Sequence, residues 1–372
     1  MLPSHRDLAR EYDVSSGTIR RAVDALIAEG LLYADSRRGT FAAQAAAPEQ
    51  GADPAAPRDL GRPLVVGIVA TVDEGQVPPV LHSLERALSE GGHVTSVRNR
   101  FQGEGQALLP LEASIAAVLS DGVDALAVIC LDLDRVRIEE ALGRVDLRDT
   151  PSVCLLAGEL HLPIPHVFYD NRIGGYQAAR HLLDKGHRKI TVFAPFTASW
   201  VSERIAGIRH ALAHARQSPP EAEFLLGEGR PWDYQNDPTK IGEAVARAAL
   251  ESGWTPEGGI VCINDQVAYG VSHAAGQSGF KVGEDFALIG FDDEKCARDK
   301  GLTTLRPPLE EMGREAARLL IDEAHGSRVS LQLRLRAHLI TRASTNFLPE
   351  PAAPPRKISL TAPAPSGELV SR

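Results

Sequence analysis

From about residue 64 to 348 the chain alternates short β-branched apolar runs with longer amphipathic stretches. LVVGIVAT, ALAVICL, SVCLL, HVFY, KITVFAP, GIVCIN and FALIGF are apolar without alternation, which predicts strands buried on both faces. VLHSLERALSEGG, LEASIAAVLSDG, IGGYQAARHLLDKG, ERIAGIRHALAHA, IGEAVARAALESG, QVAYGVSHAAGQSG and LEEMGREAARLLIDEA carry apolar residues at helical spacing, and several meet Gly at their C-terminal side. Strand–helix alternation of this kind predicts an α/β fold of parallel sheets with helices on both faces. There are too many units for one small sheet, and the termini do not suggest a closed barrel, so two lobes are expected. Ligands of open α/β sheets bind at the carboxyl ends of the strands, which places a site in the cleft between the lobes.

The flanks read differently. Residues 45–63 are rich in Ala, Pro and Gly and have few large apolar side chains, the composition of a linker. Residues 349–372 have the same character and are expected to be disordered. Over 372 residues, 43% hydrophobic and 24% charged positions are ordinary for a soluble protein of two or three cores. A net charge of -9 argues against a nucleic-acid binder that is basic throughout, though not against a small basic surface on one module. Cys130, Cys154, Cys262 and Cys296 form no Cys-x-x-Cys pair, which fits reduced and mostly buried thiols. Residues 1–10 have no apolar core for a signal peptide, and no stretch approaches the roughly 20 apolar residues of a membrane span. A cytoplasmic protein with no membrane contact is expected.

Residues 1–44 form a separate pattern. Ser4 can cap a helix HRDLAREY, and Ser15 a second helix SGTIRRAVDALIAEG, whose Ile19, Val23, Leu26 and Ile27 share one face. Ser16, Gly17, Thr18, Arg20 and Arg21 lie at its start, largely off that face, as short phosphate donors and guanine-reading arginines do in a recognition helix. LLYADSRRGTFAA then reads as a hairpin turning at 36–39, with Arg37 and Arg38 at its tip. Six Arg are balanced by six acids here, so composition alone would suit a small helical cap. The placement of four arginines on the helix start and the hairpin favours DNA.

The motifs LPS-x-R-x-LA, VS-x-x-T-I-R-RA, L-x-x-EGLL and RRGTF resemble the winged helix-turn-helix of the GntR family over about 40 residues. The resemblance puts Arg6, Ser15, Thr18, Arg20 and Gly39 on positions that family uses for DNA, beside Ser16, Arg21 and Arg38 from the reading above. Ser16 stands where an Arg is usual and Gly17 where Thr or Ser is usual, so altered base readout is expected. The family's first helix precedes the LPS motif, so either that helix is missing here or the start at Met1 is internal.

From residue 64 onward, DNRIGGYQAARHLLDKGHRKITVF, ERIAGIRHAL, GIVCINDQVAYGVSHAAGQSGFKVGEDFALIGFDD and LTTLRPPLEEMGREAARLLID resemble, in order, the LacI/GalR effector domain. That resemblance implies a type I periplasmic-binding-protein-like fold and dimerisation through residues 64–348. Both halves together have the arrangement of arabinose-repressor-like regulators. A sugar site needs groups that hold several hydroxyls and flat apolar faces for the ring. Arg204, Asn264 and Asp292 each follow a strand end, and by resemblance match effector-hydroxyl positions. Tyr169, Trp200 and Trp232 fall where the family places cleft side chains, with Thr71 and Asp73 expected from the other lobe. Asn264 and Asp292 also suit caps or turns, Arg204 the surface, and Trp232 a packing anchor. Asp170–Asn171 reads as a helix cap, and His161, His166 and His187 as structural.

The expected function is a dimeric repressor whose operator binding is controlled by a small effector, a sugar or sugar derivative, with no cofactor, no metal and no enzymatic activity. The lobes would turn about hinges near 167–171, 302–307 and 326–340. The alternative is a sugar-binding protein without a DNA role. An enzyme would have to rest on the acidic run Asp292, Asp293 and Glu294, with no nucleophile motif and no phosphate-binding loop beside it.

Overall fold

The computed structural model describes residues 15, 17–19, 21–23, 32–35, 39–42, 62–72, 75–100, 108–131, 133–215, 220–227, 231, 237–326 and 332–349. The chain divides into two compact units, 1–59 and 60–372. In the first, 17–19 and 21–23 are helical, and β1 (Leu32–Asp35) pairs antiparallel with β2 (Gly39–Ala42), Asp35 facing Gly39. Val23 is buried on the helical segment, and Ile19 half-buried, as the spacing predicted. Leu26, Ile27, Ser4 and the expected helix 5–12 lie outside the described residues.

The second unit holds two six-stranded sheets. One orders as β13-β7-β6-β5-β3-β4: β3 (Val65–Ala70), β4 (Val94–Asn99), β5 (Ala125–Cys130), β6 (Ser152–Leu156), β7 (His166–Tyr169) and β13 (Gln332–Leu335). The other orders as β14-β12-β11-β10-β8-β9: β8 (Lys189–Ala194), β9 (Glu221–Leu226), β10 (Gly259–Cys262), β11 (Ala287–Phe291), β12 (Thr303–Arg306) and β14 (His338–Ile340). All pairs are parallel except β12 with β14. The first lobe carries α1 (Val77–Glu90), α2 (Leu111–Ser120) and α3 (Arg135–Leu142). The second carries α4 (Asn171–Asp184), α5 (Ser199–Ala213), α6 (Pro238–Glu251), α7 (Asp265–Gln277) and α8 (Lys295–Lys300). The last long helix, α9 (Leu309–Ala324), follows β12 of the second lobe yet packs on α1, β5, β6 and β7 of the first. The chain thus passes between the sheets at 169–171, 306–309 and 335–338, within or just beyond the three expected hinge segments.

Every predicted strand forms. In β5 all six residues are buried, and β6, β7, β10 and β11 are buried throughout. Sheets covered by helices on both faces need such runs. The pattern missed β4 (VTSVRN) and β9 (EAEFLL), which close one edge of each sheet and stay largely solvated. It also missed α3, which buries only Ile138, Ala141 and Leu142, and α8, which buries only Ala297. Cys130, Cys154 and Cys262 are buried and in no disulfide, Cys296 is half-buried, and burial pushes the Cys154 thiol up to about 12.

Two glycines set the spacing of α4 against α5. A Cβ on Gly175 would lie 2.0 Å from the Arg204 carbonyl oxygen, and one on Gly207 1.9 Å from that of Arg172. Only a bare Cα lets the backbones approach so closely. The close packing fixes where Arg204, on α5, enters the interior.

The C-terminal side of the second lobe is closed by residues 343–347. Ser344 Oγ donates to the Leu288 carbonyl at 2.6 Å, and His187 is buried with its ring 5.8 Å from that of Phe347. Burial lowers the His187 pKa to about 4 and lowers His181 as well. A histidine held neutral by the fold contributes stability that is present above its unfolded pKa, about 6.5, and is lost as pH falls toward 4. Urea denaturation should therefore show stability falling between pH 6.5 and 4 by up to about 1.4 kcal/mol per pH unit from this one residue. His187→Leu should flatten that slope. An unchanged slope would show that His187 is not the group titrating.

Candidate functional site

The two sets of expected functional residues fall in the two separate units. In the first unit, Ser15 caps the helical segment: its Oγ accepts from Thr18 N–H at 3.1 Å and lies 2.8 Å from Thr18 Oγ1. Ser15, Thr18 and Arg21 are exposed, and Gly39 pairs with Asp35 at the mouth of the hairpin turn. Arg6, Ser16, Arg20 and Arg38 lie outside the described residues.

In the second unit, a cavity of about 480 Å³ opens between the lobes at the carboxyl ends of the strands. Its wall includes Tyr169, Trp200, Arg204, Asn264 and Asp292, five of the eight expected effector residues. Thr71 is fully buried and does not line it. Asp73 and Trp232 lie outside the described residues.

The floor is built around the Arg204 guanidinium, 2% exposed, whose NH2 donates to Asp292 Oδ1 at 3.0 Å, that carboxylate being 9% exposed. Arg204 Nε donates to Asn171 Oδ1 at 2.8 Å, NH2 also to the Tyr169 hydroxyl at 3.3 Å, and NH1 to the Ile263 carbonyl. The Trp200 ring centroid lies 4.7 Å from the guanidinium carbon and that of Phe291 4.4 Å. Stacking on aromatic faces and forked hydrogen bonding are what a guanidinium does better than an ammonium. The surface reading of Arg204 is thus corrected: α4–α5 packing carries it inside. Burial raises the Tyr169 phenol above its ordinary range, so it stays protonated.

Asp292 and Asp293 have φ of 102° and 51°, the left-handed region that side chains avoid. The loop is held there from several sides. Asp292 N–H donates to the Leu305 carbonyl at 2.8 Å, Asp293 N–H to Thr304 Oγ1 at 3.3 Å, and Glu294 N–H to Asp265 Oδ2 at 2.9 Å. Thr304 Oγ1 donates to Asp265 Oδ1 at 2.7 Å, and burial holds the Asp265 carboxyl well above the usual carboxylate range. Strained backbone that its surroundings over-determine is a mark of functional loops. The three acids of the run point to different partners. Asp292 faces Arg204, Asp293 bonds Arg306 at 2.7 Å and Arg342 at 2.6 Å, and Glu294 accepts from Gln266 Nε2 at 2.9 Å.

Asn264 both caps and lines: its Oδ1 accepts from Val267 N–H at 2.8 Å, and it forms part of the cavity wall. Asp170 caps α4 through Ile173 N–H at 2.8 Å, as read from the sequence. Asn171 does not cap. It reaches the Ala157 carbonyl at 2.5 Å and supports Arg204. Sequence reasoning missed Gln266, Glu294 and Gln76 in the wall. Gln266 had a signal, standing two residues past Asn264 on the same strand-end turn, and Gln76 stands three past Asp73 in the connection after the first strand.

The head and body match different known groups. Residues 1–42 match the bacterial regulatory proteins of the gntR family, and residues 179–345 the periplasmic binding protein-like domain. The chain is thus a DNA-binding transcriptional regulator of composite build, a gntR-type head on a periplasmic binding protein-like body. Among its relatives, the arabinose metabolism transcriptional repressor of Geobacillus stearothermophilus is 28% identical over 353 residues, 92% of this chain and 91% of the relative. The HTH-type transcriptional repressor PurR of Klebsiella pneumoniae is 27% identical over 286 residues, 75% of this chain and 79% of the relative. The body has the fold of the lac repressor dimer bound to operator and an anti-inducer (TM-score 0.62, 20% identity, 76% of this chain and 94% of that one). It shares that fold with a LacI family regulator from Enterococcus faecium with bound ribose (TM-score 0.56, 23% identity, 76% and 98%). No helix among the described residues is long and apolar enough to cross a membrane.

Removing Arg204 would leave Asp292 charged and unpaired in the interior. Breaking a buried pair from one side costs about 3–5 kcal/mol, much of it the stranded charge. Arg204→Met should therefore destabilise by about that amount in urea denaturation, and Asp292→Asn added to it should recover a large part. Additive losses in the double mutant would show that the two residues do not depend on each other.

Proposed function

We propose that the chain is a homodimeric repressor whose operator affinity is set by a sugar or sugar derivative bound in the inter-lobe cavity. The observation that carries this reading is the Arg204–Asp292 pair beneath an aromatic wall. Arg204 holds Oδ1 of Asp292, a residue of the cavity wall, which leaves Oδ2 to accept from a ligand hydroxyl. Asn264 spends its oxygen on a backbone amide, which leaves its NH₂ to donate. Trp200 and Tyr169 give the wall its aromatic surface. Carboxylate, amide and flat apolar surface in one concave site suit a ring with several hydroxyls. Asp73 and Trp232 complete the proposed effector set, and Thr71, buried away from the cavity wall, is left out of it.

Residues 1–44 are the proposed DNA-binding head, 45–63 its linker, 64–348 the effector and dimerisation domain, and 349–372 a tail. Arg6, Ser15, Ser16, Thr18, Arg20, Arg21, Arg38 and Gly39 contact DNA in this reading. Exposed Ser15, Thr18 and Arg21 at one helix start are suited to phosphate and base-edge contacts. Effector turns the lobes about the three inter-sheet connections, which changes the spacing of two heads that must meet half-sites at fixed separation. The protein works in the cytoplasm, where the DNA is, and catalyses no reaction of its own. Relatives named as transcriptional repressors, and a gntR-type head joined to the cavity-bearing body, support this over a transport-type binding protein.

Thermal-shift screening against pentoses, hexoses and uronates should find a sugar that raises the Tm; at a hundred times its Kd, ligand adds about 2.7 kcal/mol to the folded state. The same sugar should change retardation of operator DNA in a gel-shift titration. No Tm shift with any sugar, together with no DNA retarded under any condition, would overturn the proposal.

A further inference from the structure

We propose that Asp134, in the first lobe, caps α5 of the second lobe across the cleft, and so ties lobe closure to the placement of Trp200 and Arg204. The first N–H groups of a helix have no partner inside it. Ala198, which precedes α5, has no side chain to accept from them, and the first turn has no acidic residue. The acceptor comes from the other sheet. Asp134 Oδ1 takes a hydrogen bond from Ser199 N–H at 2.7 Å and another from Ser199 Oγ–H at 2.7 Å. Short bonds to a carboxylate at a helix N-terminus are among the stronger polar contacts in proteins.

The same carboxylate also caps its own helix, α3, but only through Oδ2 and Val136 N–H at 3.5 Å. The tighter bonds run between lobes. Trp200 follows Ser199 directly, and Arg204 lies on the next turn of the same helix. A second bond between lobes converges on the same place. Asn171, at the start of α4, donates to the Ala157 carbonyl that follows β6, while its Oδ1 accepts from Arg204 Nε. Separating the lobes breaks both. It strips the cap from the helix that carries the cavity's aromatic wall and releases the amide that orients its guanidinium. Closure and cavity geometry are therefore one equilibrium. The regulatory consequence rests on the function proposed above, but the bond itself does not.

Amide hydrogen exchange on the full-length, ligand-free protein tests this without any effector. Ser199→Pro is the informative variant. Proline suits the first position of a helix, and the extended Ala198 (φ −157°, ψ 163°) accommodates a following proline, so α5 stays intact while both donors are lost. Exchange over 200–204 should speed up about tenfold in Asp134→Ala and in Ser199→Pro, the change expected for loss of a hydrogen bond to a charged group. Asp134→Asn, whose amide oxygen still accepts, should lie between these variants and the wild type. Exchange over 135–142 should stay unchanged in Ser199→Pro, since the α3 cap is untouched. If the lobes are coupled, exchange at 171–174, the start of α4, should also rise about threefold or more. Wild-type exchange over 200–204 in both variants would overturn the cap. Faster exchange there with 171–174 unchanged would overturn the coupling. A sugar screen that finds no ligand would count against the proposed function and leave this result standing.

Discussion

A guanidinium taken wholly out of water is costly unless its N–H groups find partners. In this protein that constraint organises the second lobe. Arg204 is satisfied by Asn171, Ile263, Tyr169 and Asp292, which come from α4, the end of β10, the end of β7 and the end of β11. Three segments remote in sequence, 169–171, 263 and 292, are thereby held at one point, where the parallel strands end. Asp292 can occupy its left-handed backbone conformation because Leu305, Thr304 and Asp265 fix the loop around it. The cavity is what remains above this arrangement.

The glycines of α4 and α5 act one step earlier in the same chain of causes. Without backbone contact at Gly175 and Gly207, α5 would stand farther from α4 and Arg204 would not reach Asn171. The first lobe enters through α9, which leaves the second sheet to pack on the first, and through Asp134 and Ala157 at the cleft. A body built this way has its cavity wall and its lobe contacts in the same few side chains. Control of a separate head requires such a shared element, since a ligand shifts an equilibrium only by binding its states unequally.

Much of this was legible in the sequence, and the gaps have physical reasons. Strands buried on both faces announce themselves, as ALAVIC does; edge strands such as EAEFLL do not, because half of each is wet. Arg204, Asn264 and Asp292 could be singled out because each follows an apolar run, where strand ends meet a cleft. Asn171 reads from sequence, with its neighbour, as a cap, and its work on Arg204 is hidden because the partner lies 33 residues away. Gln76 precedes α1 in the connection that follows β3, a strand end like those of Arg204, Asn264 and Asp292, but the pattern does not say which residue of that connection lines the cavity. In the head, Ser15 as a cap and the hairpin of β1 and β2 followed from local rules alone.

The central claim is that the cavity and the head are energetically linked. The direct measurement is the affinity of one stabilising sugar for the free protein and for the protein saturated with an operator duplex recovered by selection from random DNA. Linkage requires that operator change sugar affinity by the same factor as sugar changes operator affinity, typically about 5- to 150-fold. Equal factors of that size are the predicted result. A sugar bound equally well with and without operator would contradict the account.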